Sequence, residues 1–174
     1  MLEFLQSLPS PIAQGMIWGI MAIGVYITYK ILDLADLTVD GSFATGGAVL
    51  VVLTTAGVNI YLALAAAFLA GCLAGLATGI FHTKFGIPAI LAGILTQLAL
   101  YSLNLRIMSG RANVPISWRN YSLIVSSKSD VLPRTIAVCT IFIVALIGIL
   151  YWFFGTELGF SIRATGCNQA MARA

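Results

Sequence analysis

The chain alternates long uncharged runs with short polar linkers. No Asp, Glu, Lys or Arg occurs in residues 4–29, 41–83, 85–105 or 135–156. A membrane-crossing helix needs about 20 predominantly apolar residues. Three of the windows suit one crossing each. The window 41–83 is long enough for two, and Gly57-Val58-Asn59 supplies a turn between them. The pattern predicts hydrophobic segments near 12–31, 43–56, 60–82, 87–106 and 135–154. The second is too short for a comfortable crossing by itself. The expected fold class is an all-α polytopic membrane protein with about five hydrophobic segments, the second short or discontinuous.

Composition removes the soluble alternatives. Of 174 residues, 60% are hydrophobic and 9% charged, and the mean hydropathy is +1.00. A soluble domain carries about 25% charged residues, and a compact fold of this size cannot hide so much apolar surface. The net charge of +3 comes from scattered residues and forms no basic stripe, so nucleic acid is not an expected partner. Cys72 and Cys139 lie inside apolar segments and Cys167 in a polar tail, with no metal-site spacing. Topology is not set by charge. Lys30, Lys84, Arg163 and Arg173 fall on one side, and Arg106, Arg111, Arg119, Lys128 and Arg134 on the other. Trp118, Tyr121 and the run Tyr151-Trp152-Phe153-Phe154 read as interfacial anchors.

Packing signals are strongest in the third segment. Ala63, Ala67, Gly71, Gly75 and Gly79 recur every four residues, a spacing that lets a neighbouring helix approach closely. Gly15 and Gly19 repeat the device in the first segment.

Residues 33–47 are the most informative polar stretch. Asp33, Asp36 and Asp40 cannot all sit in lipid, where one central Asp costs about 2.5–3.5 kcal/mol. Asp40-Gly41-Ser42 reads as a turn with a helix N-cap, and Gly46-Gly47 loosens the helix that follows. Two readings stand: a discontinuous helix lining a cavity, or a loop followed by a short helix. The pathway-lining candidates are Thr38, Asp40, Gly41, Ser42, Gly46, Gly47, Thr96 and Gln97. Pro88 marks a helix start, and His82 reads as a solvated loop residue. In the tail after 155, Asn168 is expected to cap a short helix starting near Gln169.

Enzyme readings fail on chemistry. Asp40-Gly41-Ser42-Phe43-Ala44 resembles the opening of the CDP-alcohol phosphotransferase motif, but Thr45 stands where Arg is required. Residues 41–129 contain no acidic residue, so the clustered carboxylates of a two-metal site are missing. No phosphate-binding loop of the G-x-x-x-x-G-K-[ST] type is present. ATP hydrolysis, if it drives this protein, belongs to another chain.

Three stretches resemble the permease subunits of ABC importers of the branched-chain amino acid type, closest to the uncharacterised or aromatic-amino-acid-linked subgroup. They are Ile31–Val49, Pro88–Gln97 continuing to Met108–Pro115, and Leu158–Ala172. The third is similar to the Gly-x-x-x-Arg-Ala-x-Gly-x-Asn segment that couples such permeases to their ATPase. The resemblance implies a non-enzymatic, multi-pass subunit of the bacterial cytoplasmic membrane that forms part of a pathway for a small solute, an amino acid by expectation. It implies a cytoplasmic ATP-binding subunit, an extracytoplasmic substrate-binding protein and a second permease subunit as a homodimer. ATP and Mg would sit on the ATPase, with no cofactor in this chain. Glu157, Gly159, Arg163, Ala164, Gly166 and Asn168 become coupling candidates. The 82–86 loop and the tail would face the cytoplasm and the 107–134 loop would face out, where it would meet the binding protein. The implied division is a bundle over 1–154 and an incomplete coupling segment over 155–174. Because family permeases continue beyond this motif, the expectation is a truncated product lacking the second half of the bundle. A small membrane-embedded binding or assembly protein is the alternative.

Overall fold

The computed structural model describes residues 9–114 and 131–167. They form α1 (Pro9–Tyr26), which runs into a π-helical turn (Ile27–Ile31), α2 (Thr38–Thr55), α3 (Ile60–Thr83), α4 (Ala89–Ile107), α5 (Val131–Phe154) and α6 (Glu157–Cys167). No strand occurs among the described residues. Five helical stretches are long and apolar enough to cross a membrane: Ser10–Ile31, Thr38–Thr55, Ile60–Thr83, Ala89–Ile107 and Thr135–Phe154. The protein is an all-α, multi-pass membrane protein. Its helices group into two compact units, α2–α4 in one and α1, α5 and α6 in the other.

In the first unit α2 packs against both α3 and α4. The α2–α3 crossing is antiparallel. A Cβ on Gly46 would lie 3.4 Å from the Ala67 carbonyl oxygen, and one on Gly71 would lie 3.9 Å from that of Ser42. Further along, the buried Thr38 and Thr78 hydroxyls meet at 2.8 Å. Such a bond between helices in lipid contributes about 0.6–2 kcal/mol. The α2–α4 crossing is parallel. A Cβ on Gly93 would lie 3.0 Å from the Leu37 nitrogen, and one on Gly41 would lie 3.2 Å from Leu100 Cδ1.

The structure corrects three local expectations. The helix α2 is short but unbroken through Gly46-Gly47. At about 1.5 Å per residue its 18 residues span roughly 27 Å, close to the hydrocarbon thickness. Its start lies earlier than Asp40-Gly41-Ser42. Asp36 Oδ1 accepts from the Thr38 backbone N–H at 2.8 Å, an Asx turn that opens the helix, while Asp40 lies in the first turn, where the helix dipole favours an acid. Pro88 marks a helix start as expected, standing at the N-cap of α4. The residue His82 is in the last turn of α3 and half-buried. Its Nδ1–H donates to the Ile87 carbonyl at 2.9 Å and ties down the loop to α4.

The small-residue stripe of α3 is only half used. Successive steps of four advance about 40° around a helix of 3.6 residues per turn. Ala63 is buried and Ala67 and Gly71 are half-buried, but Gly75 and Gly79 have rotated to the exposed side, where a Cβ would meet nothing within 4 Å. Ala74 and Thr78 take their place at the contact. Gly15 and Gly19 likewise have nothing within 4 Å among the described residues. The turn at Gly57 forms as expected, with φ +81°, and Asn59 caps α3 by accepting from Tyr61 N–H at 3.1 Å.

These contacts separate two glycines of equal helical standing. Gly93→Ala should lose about 1–3 kcal/mol by overpacking against α2. Gly75→Ala should be neutral or gain up to about 1 kcal/mol from helix propensity. Helical circular dichroism through a denaturing-detergent titration measures both.

Candidate functional site

Two places gather the chemistry. The first is the flank of α2 that faces α4. The sequence candidates there divide by burial. Thr38 and Gly41 are buried in helix crossings. Thr96 is buried too, and its hydroxyl donates to the Ala92 carbonyl at 2.9 Å within its own helix. Ser42 does the same toward the Val39 carbonyl at 3.0 Å. Gly46 faces α3 at Ala67. Asp40 is exposed, and Gln97 Nε2 reaches toward its Oδ2 at 3.4 Å, a long contact that brings an amide and a carboxylate together across α2 and α4. Gly47 is exposed and lines a cavity of about 310 Å³.

That cavity holds two residues the sequence reading did not select. Asn104 and Arg111 line it together with Gly47, Ala48 and Tyr101. The Asn104 Oδ1 is buried and meets no donor among the described residues. An unpaired acceptor in an apolar setting seeks a donor. With Arg111 in the same lining, the cavity brings an amide and a guanidinium among apolar walls. The available signal was spacing: Asn104 lies seven residues after Gln97, two turns along one face of α4.

The second place is α6. Thr156 sits just before it; its Oγ1 accepts from the Gly159 N–H at 3.4 Å, and Glu157 stands in the first turn. These are N-terminal signals, and the helix begins at Glu157; the helix expected to start near Gln169 lies outside the described residues. Two glycines bring this helix against the rest of its unit. A Cβ on Gly159 would lie 2.5 Å from the Phe153 oxygen and the Phe154 Cα, and one on Gly166 would collide with the Ile31 carbonyl. No side chain fits at either position without moving backbone. Between them Arg163 is exposed, with its guanidinium 5.4 Å from the Phe154 ring centroid. Ala164 is exposed as well, and Leu158 and Phe160 are 68% and 60% exposed. Asn168 lies outside the described residues, as do Trp118 and Tyr121. Among the described residues, no group of three His, Cys, Asp or Glu is close enough to hold a metal, and the three cysteines are free.

Comparison with known proteins bears on both places. Residues 9–174 match the family described as the branched-chain amino acid transport system permease component. A tyrosine transport system permease protein of Clostridioides difficile (strain R20291) is 40% identical over 164 residues, covering 94% of this chain and 53% of the relative. The uncharacterized protein RP368 of Rickettsia prowazekii (strain Madrid E) is 32% identical over 156 residues, covering 90% of this chain and 53% of the relative. The chain thus spans about half the length of these curated relatives. No solved structure matches.

The glycine contacts of α6 generate a local test. Gly166→Ala should loosen α6 from the π-helical turn and speed amide exchange in residues 160–166 by at least about tenfold, the equivalent of ~1.4 kcal/mol. Thr165→Ala, at an exposed neighbour, should leave that exchange unchanged.

Proposed function

The chain is a multi-pass cell-membrane protein of the permease family of branched-chain amino acid transport systems, and on that premise we propose that it serves as a permease subunit of an ABC importer for an amino acid. A cytoplasmic ATP-binding subunit docks on α6, an extracytoplasmic protein delivers the solute, and a second permease subunit completes the pathway. ATP and Mg reside on the ATP-binding subunit. The observation that carries this reading is the packing of α6. The two glycines of the coupling motif, Gly159 and Gly166, are where a Cβ would meet backbone, and the helix they seat leaves Leu158 and Phe160 outward, with Arg163 at the edge of the seated face. A short helix seated on its inner side and open on its outer side suits transmission of a push from a soluble motor.

In this orientation the 82–86 loop and α6 face the cytoplasm, and the far end of α4 faces out. The cavity at Asn104 and Arg111 then lies toward the outer side. An amino acid arriving there presents its carboxylate to Arg111, with the Asn104 amide in the same lining. The tyrosine named for the Clostridioides difficile relative makes an aromatic amino acid the first substrate to try.

Co-expression of the complete permease with a neighbouring ATP-binding subunit tests the assembly. Arg163→Glu should abolish co-purification of that subunit while leaving the permease helical and membrane-inserted. Retention of the subunit at the wild-type level would refute the coupling role. Separately, Asn104→Leu should raise the KM for uptake severalfold with assembly intact, measured with radiolabelled amino acid in vesicles.

A further inference from the structure

A groove of about 580 Å³ opens within the second unit, where α1 and α5 end and α6 lies. Ile23 and Ile27 form one side of its wall, and Ile147 and Leu150 the other. Lys30, on the π-helical turn, and Arg163, on α6, line it as well, and no carboxylate of a described residue does. Tyr26 and Tyr151 complete the rim, the ring type that settles at headgroup level. Cation and wall are separated along the axis. Lys30 lies seven positions after Ile23, about 10 Å of helix rise, so the apolar wall reaches well into one leaflet of a core about 30 Å thick.

We propose that this groove binds one anionic phospholipid, its phosphate between Lys30 and Arg163 and an acyl chain along the isoleucine wall. Two cations without a lining carboxylate complement a negative headgroup, and basic pockets between membrane helices hold such headgroups. A free anion would use only the cations and leave the wall unoccupied. An amphiphile uses both halves. Arg163 is already oriented by the Phe154 ring, so its guanidinium is held at the rim before a ligand arrives.

Native mass spectrometry of the purified chain in neutral detergent, with equimolar, acyl-matched phosphatidylglycerol and phosphatidylcholine, tests this. The expected result is at least about tenfold preference for phosphatidylglycerol, with one lipid per chain. Lys30→Gln/Arg163→Gln should bring that preference to parity. Lys84→Gln, on the other unit, should preserve it. Ile27→Trp, which fills the groove and keeps both cations, should weaken retention of phosphatidylglycerol, which separates the wall from charge alone. Circular dichroism verifies that each variant is helical, and the single variant Lys30→Gln should show a partial loss if the double variant does not fold. Equal retention of the two lipids by the wild type would overturn the proposal, as would an undiminished preference in the charge variants. Displacement of phosphatidylglycerol by millimolar inorganic phosphate, or a dimer that forms with loss of bound lipid, would also overturn it by assigning the groove to another occupant.

Discussion

Apolar side chains gain nothing by leaving lipid for one another, so a membrane bundle holds together where backbones come within touching distance. In this protein those places are marked by a missing Cβ. Gly41 and Gly93 bring α4 against α2, and Gly159 and Gly166 bring α6 against the ends of α5 and the π-helical turn. Between these points the threonines take no polar debt into the membrane. Thr45, Thr54 and Thr96 donate to carbonyls four residues back, and Thr38 meets Thr78 across the helices. Most large side chains, from Phe68 and Leu73 to Ile141 and Val144, point outward, which suits a lipid solvent.

The same constraint sorts the polar stretch between α1 and α2. The π-helical turn ends with Asp33 at φ 53° and the Leu34 N–H bonded to the Thr28 carbonyl at 3.1 Å, a left-handed helix stop that Asp tolerates. Asp36 then opens α2 and Asp40 sits in its first turn. Three acids that would be prohibitive inside lipid are each explained as helix punctuation.

Much of this was legible in the chain. Charge-free windows located all five spans, because one buried charge outweighs many local preferences. The Gly57 turn was readable because only a residue without a Cβ accepts its φ at no cost. Other features were not read correctly. The α3 stripe repeats at a fixed step of four, but the helix turns every 3.6 residues, so Gly75 and Gly79 fall outside the contact among the described residues. The start of α6 carries its own signals in Gly155-Thr156-Glu157, a stop, a cap and an acidic first turn. Burial of Thr38, Gly41 and Thr96 depends on which helix lies beside which, and no local pattern states that. Asn104 carries no motif, being an isolated amide near a span end; only the fold shows that its oxygen meets no donor among the described residues.

The glycines Gly159 and Gly166 are also the tightest backbone approaches around α6. In the proposed assembly they seat the helix with one face inward and the other free for the motor subunit. Site-directed cross-linking in the assembled transporter tests it most directly, with single cysteines placed along α6 in a background lacking Cys72, Cys139 and Cys167. The account predicts adducts to the ATP-binding subunit from the outward positions Leu158, Phe160 and Ala164, and none from the half-buried Ile162. Adducts from Ile162 with none from the outward positions, or no adduct from any position, would contradict it.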